Sequence, residues 1–455
     1  MEKMSEILYN YDIYPKAFLC DRPETITIQP LGGHVAFDLA KTYKLTVYKL
    51  SESNARHYPE RDHHQTFHLR PEEDGCLRFC CTFTGEGEYY LFLHESDEAR
   101  EPFAQFSVYS LEHDMAGRYP QKGDLHMHTS RSDGGESPAI VSANYRAFGY
   151  DFFAITDHHR YYPSIEAIDA FAGVTDFVIV PGEEVHLPFN GVHYINFGGS
   201  FSINAIVTDA NREIYGDDPH YNSIDGNPPK RMTREEFETM IRARAAGVPR
   251  EIESERMSYA VLEWTYEQVQ KGGGLGVFPH PYWQCPCLTL AEDYTRFVYE
   301  KQPFDAFEVL GGERIFSHNG FQTGFYYEEK AKGFDPPVVG STDSHGSTEH
   351  FNNAFICSTI VFTPENERLA LIDSIKKKYS VAVDTISAEY RLVGDFRWIK
   401  YGSFLMEQYF PLHDLACAAE GYYMKRYACG DKHAANVLRT MKGQIPAMQK
   451  KYFHL

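Results

Sequence analysis

The sequence predicts an α/β protein in which alternating strands and helices begin at Gly123, preceded by an all-β domain and followed by a helical extension. Three observations predict it. Downstream of Gly123, short unbroken apolar runs alternate with helical segments, as buried parallel strands and their crossovers require. Upstream, strand-like runs bounded by turn residues meet no competing helical period. Histidines and carboxylates also recur at the C-terminal end of one apolar run after another, the rim on which parallel α/β folds gather functional groups.

The chain has 455 residues, more than one typical domain, and divides into expected domains at 1–118, 119–380 and 381–455. The formal net charge of −20 argues against a nucleic-acid coat or a membrane-surface binder, so neither a stable nucleic-acid partner nor a membrane is expected. The opening MEKMSEILYN lacks a basic region followed by an apolar run, and no stretch approaches the ~18 apolar residues of a membrane span. The nine cysteines are scattered and never spaced Cys-x-x-Cys, which predicts reduced thiols in a cytoplasmic protein.

Within 1–118, Thr25–Ile28 and Tyr43–Tyr48 have strand composition. Leu77–Phe83 alternates, reaches Gly85-Glu86-Gly87 and returns through Tyr89–Leu93, the signature of a hairpin. Phe103–Leu111 adds another strand, and the whole predicts a small β-sandwich. Its histidines His57, His63, His64 and His68 read as solvated loop residues. Ala116–Lys122 reads as a linker.

The first strand of the second domain ends in Leu125-His126-Met127-His128. Side chains at i and i+2 share a face, so His126 and His128 aim at one point while Leu125 and Met127 face a core. A Ser-Asp-Gly-Gly turn carrying Asp133 follows, and Ser137-Pro138 opens a helix that Gly149 ends. Phe152–Thr156 is a second strand, ending in Asp157-His158-His159. Phe177–Val180 is a third, ending in Gly182-Glu183-Glu184, and a short fourth surrounds His193. A helical insertion spans 198–274, with a Thr233/Glu236 capping box and a second helix over Tyr259–Lys271. Its basic residues, among them Arg234, Arg242, Arg244 and Arg250, fit either a solvated face or a substrate-facing lid. The fifth strand, Leu275–Phe278, ends in Pro279-His280-Pro281. The sixth, Ala306–Leu310, carries Glu308, and the seventh, Val338–Ser341, ends in Thr342-Asp343-Ser344-His345. Thr363-Pro364 is expected to start a helix ending near Tyr379, and 381–455 is expected to be helical.

Each of these strand-end residues has an ordinary reading as a loop side chain, but the same chemical type recurring at the same structural place does not. Imidazole and carboxylate donors without cysteine point to Zn²⁺, Mn²⁺ or Fe²⁺, and nine candidates suit two or three ions. Clustered cations activate a water and clamp both oxygens of an in-line displacement at phosphorus. Cys285 and Cys287, near His280, are disfavoured as ligands beside a full N/O set. Asp157 is expected to orient a ligand histidine, and Glu308 either to do likewise or to be an ordinary strand end.

The order HMH, SDG, TDH, Glu, two further histidines and a closing Asp-x-His resembles the PHP (polymerase and histidinol phosphatase) superfamily over about residues 123 to 350. The resemblance implies a distorted seven-stranded (β/α) barrel and hydrolysis of a phosphate ester of a small molecule or short nucleotide. It is nearest to the SDG-containing branch of small phosphoesterases. It further implies that His126, His128, Glu184 and Asp343 hold a first metal, that Glu184 bridges to a second held by His193 and His280, and that Asp133, His158 and His345 hold a third. The closing motif, Gly-Ser-Thr-Asp-Ser-His, is one residue longer than the family's common form, and His159 stands where Asn or Asp is more frequent. The catalytic candidates are Asp343, itself a ligand, with His159 and Arg160; these two and His186 lie where they could contact a phosphate or protonate a leaving group. The expected partner is a small phosphorylated substrate, with homo-oligomerisation through the β domain as the other contact the layout allows. Two alternatives remain: a C–N hydrolase of amidohydrolase type, disfavoured because no lysine ends any of the strands, and a sugar- or protein-binding module on an inactive barrel.

Overall fold

The computed structural model describes residues 8–50, 65–208, 218–284, 289–311, 316–347, 357–385 and 391–455. The chain forms two compact units, one of Met1–Tyr119, Lys400–His413 and Gly443–Leu455, the other of Pro120–Ile399 and Asp414–Lys442.

The first unit contains β1 (Tyr11–Tyr14), β2 (Ala17–Leu19), β3 (Pro23–Pro30), β4 (Tyr43–Lys49), β5 (Gln65–Leu69), β6 (Leu77–Thr82), β7 (Gly87–His94) and β8 (Ala104–Leu111), with a last strand at Phe453–His454. One sheet has the order β1-β3-β6; the other runs from Phe453–His454 through β2-β8-β7-β4-β5. Alternation explains the packing. Ile26 and Ile28 of β3 and Leu77 and Phe79 of β6 share one core with Leu45, Val47, Leu91, Leu93, Phe106 and Val108 of the other sheet. The predicted hairpin does not form, because β6 pairs with β3 while β7 pairs with β4 and β8. The Gly85-Glu86-Gly87 turn instead carries the chain from one sheet to the other. His68 lies on exposed β5 and pairs with Asp97 at 2.7 Å; His57, His63 and His64 fall outside the described residues.

The second unit contains β9 (Tyr119–Asp124), β10 (Phe152–Ala154), β11 (Val178–Val180), β12 (Gly182–Glu184), β13 (Ile195–Phe197), β14 (Leu275–Phe278), β15 (Ala306–Leu310), β16 (Val338–Gly340), β17 (Cys357–Thr363), β18 (Ser380–Asp384) and β19 (Arg391–Val393). The ladders do not describe the expected barrel. They form two open sheets, β11-β10-β9-β17-β18-β19 and β12-β13-β14-β15-β16. The pairs among β9, β10 and β11 and among β14, β15 and β16 are parallel. Those around β13 and β18 are antiparallel. The two sheets enclose a shared core of Leu125, Phe152, Ala154, Val180, Ile195, Val277, Ala306 and Val339.

Three local expectations change. Residues expected to be linker supply β9. The helix expected from Thr363 starts only at Arg368, where the Glu367 carboxylate accepts from the Ala370 amide. Cys357–Thr363 before it is a fully buried strand ending at the residue ahead of Pro364, which cannot donate to a ladder. In the insertion, the capping box opens the helix Arg234–Ala245 as predicted, and the second helix is longer, Glu253–Lys271. Arg244 pairs with Glu267 and Arg250 with Glu255, so these bases are used within the insertion and its neighbours. Among the described residues no helix is long and apolar enough to cross a membrane.

Candidate functional site

At one end of the second unit, the strand ends are laced together by backbone hydrogen bonds. The Asp343 amide donates to the His126 carbonyl and the His128 amide to the Ser344 carbonyl, at 2.8 and 2.7 Å. The Thr156 amide donates to Met127 at 2.9 Å, Glu184 to Thr156 at 3.1 Å and His159 to Glu184 at 3.1 Å. Isolated parallel bridges at Met127–Ser344 and His158–Glu184 mark the same seam between the two sheets. Three residues on it adopt the left-handed region, His159 (φ 62°), His280 (φ 27°) and Asp343 (φ 45°), a conformation that L side chains tolerate at a cost and that clusters where side chains must be aimed.

The seam brings the nine predicted ligands together. His126 Nε2 and His128 Nε2 are 3.2 Å apart, and each faces Asp343 Oδ1, at 3.2 and 3.0 Å. Glu184 Oε2 lies 2.5 Å from His158 Nδ1 and 3.6 Å from His128 Nε2, while its Oε1 lies 2.6 Å from His193 Nδ1 and 4.0 Å from His280 Nε2. Asp133 Oδ2 is 3.4 Å from both His158 Nε2 and His345 Nε2. Four groups of donors result: His126/His128/Asp343, His126/Glu184/His280, His128/Asp133/His158/His345, and His158/Glu184/His186, the last drawing in a histidine that was not among the nine. His193 precedes β13 rather than ending a strand. Because β13 runs antiparallel to β12 and β14, its start lies at the same rim as their ends.

The SDGG turn is held against the HMH segment by close packing. A Cβ on Gly134 would stand 2.5 Å from the His128 carbonyl oxygen, so only glycine lets the turn approach. The Gly135 amide donates to the His345 carbonyl at 2.8 Å.

The donor set fits divalent cations. Both oxygens of Glu184, His128 Nδ1 and His193 Nδ1 are buried without a hydrogen-bond partner, although Glu184 lies within 2.6 Å of an imidazole nitrogen. These atoms are close but misaligned for mutual hydrogen bonds, as donors aimed at a common centre are. Two atoms each about 2.1 Å from a tetrahedral ion stand about 3.4 Å apart, the scale of the separations here.

Charge follows the same geometry. Burial opposes a proton on His126, but Asp343, Glu308 and Glu184 outweigh it and hold its pKa well above the ordinary value. Burial and the neighbouring His158 push His128 down to about 4. Burial opposes the Asp343 charge, yet His126, His128 and His280 hold the carboxyl well below its usual range.

Supporting residues differ from expectation. Glu308 is buried and accepts from His126 Nδ1 at 3.0 Å, which presents Nε2 to Asp343. Asp157 holds no histidine; it accepts from the Thr129 amide at 2.8 Å, the Thr129 hydroxyl at 2.6 Å and Ser132, bracing the SDGG loop. Glu183 anchors the insertion's start through Asn196, Ser202 and the Ile203 amide. His186 Nε2 is 2.9 Å from His158 Nδ1, and the His159 ring stands 4.7 Å from the His186 ring. Arg160 Nε is buried with no hydrogen-bond partner among the described residues. The sequence reading missed Asp124, which ties the two strand ends by accepting from Thr342 and the His126 amide. It also missed His318, fully buried on the helix Phe316–Ala331, which no strand-end pattern could reveal. Cys285 and Cys287 lie outside the described residues.

No family model and no curated protein sequence matches the chain. Among solved structures it is similar to a two-domain protein from Bacteroides vulgatus, provisionally assigned a PHP-like metal-dependent phosphoesterase domain, at 13% identity over 58% of this chain and 65% of that one, TM-score 0.35. It is similar to a provisionally assigned metal-dependent phosphoesterase from Bifidobacterium adolescentis, at 17% identity over 56% and 94% of the two chains, TM-score 0.33. It is also similar to an amidohydrolase from Chromobacterium violaceum, at 17% identity over 50% and 89%, TM-score 0.31. At these identities and scores the likenesses carry no weight in assigning an activity, which rests on the site.

Proposed function

We propose that this chain is a metal-dependent phosphoesterase of the PHP superfamily, SDG-containing branch, with its metal site on the rim where the strand ends of its two sheets meet. The observation that carries the reading is the Glu184 carboxylate, buried, without a hydrogen-bond partner, and placed between histidines on both of its oxygens. In this reading His126, His128, Glu184 and Asp343 hold one ion, Glu184, His193 and His280 a second, and Asp133, His158 and His345 a third. Bound Zn²⁺, Mn²⁺ or Fe²⁺ supplies an activated water and neutralises charge on phosphoryl oxygens. Glu308 fixes the His126 tautomer, and the SDGG turn sets the position of Asp133. Arg160, with its buried partnerless Nε, is assigned to a phosphoryl oxygen, and His159, beside His186, to the leaving-group side. The net charge of −20 favours a small phosphorylated molecule over nucleic acid. The free state of all seven described cysteines supports a reducing, cytoplasmic setting.

The test is metal analysis of purified protein, followed by turnover of para-nitrophenyl phosphate and bis(para-nitrophenyl) phosphate after Mn²⁺ loading. Asp343→Asn and His126→Ala should each lower turnover by about 100-fold or more and reduce bound metal. Wild-type rates in both variants, or hydrolysis of amides or lactones in place of phosphate esters, refute the proposal.

A further inference from the structure

A cavity of about 480 Å³ opens beside His193 and His280 and is walled by the first turn of the insertion helix Glu253–Lys271. Its size suits a small organic group. It also abuts the histidines that the phosphoesterase reading gives to the second ion, so an ester whose phosphoryl group lies at the seam would extend its alcohol portion into it. The chemistry of the wall then decides which alcohols fit.

The wall offers hydroxyls at Ser254, Ser258, Thr289 and Tyr294, the amide of Asn190 and one carboxylate, Glu255. Val192, Pro279, Pro281, Leu290 and Ala291 supply apolar wall. No lysine or arginine lines the cavity among the described residues. Arg250, which pairs with the lining carboxylate, is shared. Its Nε donates to Glu255 at 2.8 Å and its Nη2 to Asp293 at 3.0 Å, and it lies over the rings of Tyr294 and Phe297 at 5.6 and 5.4 Å. Glu255 and Asp293 share this one guanidinium, so two carboxylates against one cation leave a net negative charge at the wall, and a like charge is how a site rejects an anionic ligand. Neutral hydroxyls meet serine and threonine partners instead.

We propose that this cavity is the leaving-group subsite and that it selects phosphate monoesters of small, neutral, hydroxylated alcohols against those carrying a second phosphate or a carboxylate. The inference rests on the phosphoesterase reading and goes beyond it in naming the alcohol.

The experiment compares two esters that differ chiefly in one charged group, glycerol 3-phosphate and 3-phosphoglycerate, on Mn²⁺-loaded protein, with para-nitrophenyl phosphate alongside. The expected kcat/KM ratio favours glycerol 3-phosphate by about 10-fold or more. In Glu255→Gln the ratio should narrow to within about 3-fold, because the wall loses its charge and Arg250 loses a partner. Should that variant fail to fold by circular dichroism, Ser254→Asp, which adds a carboxylate at the exposed lip, should widen the ratio instead. Equal or better turnover of 3-phosphoglycerate by wild-type protein, with para-nitrophenyl phosphate still hydrolysed, overturns the subsite and leaves the phosphoesterase reading standing. Failure to hydrolyse para-nitrophenyl phosphate overturns that reading, and the subsite falls with it.

Discussion

Gly134→Ala perturbs the candidate site without altering any of its donor atoms. The added methyl would stand 2.5 Å from the His128 carbonyl oxygen, 2.7 Å from its carbon and 2.8 Å from the Thr129 carbon. All three are backbone atoms, so no rotamer change relieves the contact. Ordinary van der Waals contact begins at 3.4 Å, so the turn has to retreat by about 0.9 Å. Asp133 is the preceding residue, and its Oδ2 sits 3.4 Å from the nitrogens of both His158 and His345. Metal–ligand distances tolerate about 0.2 Å, several times less than that retreat. The expected result is loss of one tightly held equivalent of metal, or a weakening of its binding by at least about 10-fold, with the other equivalents retained. The fold should lose about 1–3 kcal/mol, as overpacked sites do. The assay is metal content after dialysis together with competitive chelator titration, with Asp133→Asn as the benchmark. Wild-type stoichiometry and affinity in Gly134→Ala would refute the argument that close packing of this turn positions Asp133.

Three further outcomes follow from other parts of the chain. Glu308→Gln keeps the shape but removes the charge that His126 Nδ1 faces at 3.0 Å, and should weaken metal binding by about 10- to 100-fold while circular dichroism stays unchanged. Gly421→Ala would place a methyl 2.3 Å from the Ala147 amide nitrogen, forcing two helices apart; a loss of about 2 kcal/mol or more in urea unfolding is expected, and an unchanged midpoint counts against it. Lys16 is fully buried, and burial pushes its pKa from 10.5 down to about 8 against the pull of Asp12 at 3.8 Å. The unfolded chain therefore binds this proton more tightly. The penalty, about 3 kcal/mol, is fully present below pH 8 and is relieved as pH rises toward 10.5. Lys16→Met should flatten the rise in stability over that window, read from urea unfolding against pH; parallel curves for variant and wild type would exclude it.

Part of this arrangement was legible in the sequence because it depends on local periodicity. The two-residue repeat through Leu125-His126-Met127-His128 separates the apolar pair, which is buried in cores, from the imidazole pair, which converges on Asp343. The Thr233/Glu236 capping box likewise needs only a spacing of three, and it forms reciprocally. What escaped was set by tertiary pairing. Glu308 and His126 are 182 residues apart, and nothing local tells a carboxylate that orients a histidine from one at an ordinary strand end. The direction of β13 depends on its neighbours, so His193 reached the rim from the opposite end of a strand. Strand β17 escaped because Thr363-Pro364 imitates a helix start, whereas the buried CSTIVFT segment before it extends the sheet, and β18 and β19 escaped because they open the stretch 381–455 that was expected to be helical. Asp157, beside a histidine in sequence, turned out to serve Thr129 and Ser132, since adjacent residues on an extended segment face opposite ways.

The seam between the two sheets has a consequence for how the site can be watched. The residues whose side chains converge also supply the amides that stitch the sheets together: His128 to Ser344, Asp343 to His126, His159 to Glu184. Deuterium uptake at those amides therefore reports on the site directly, since solvent reaches them only when the stitching opens. Chelation should speed exchange there before it does so in the outer helices. A substitution that shifts one of these backbones therefore alters an edge-to-edge joint of the fold together with the chemistry beside it.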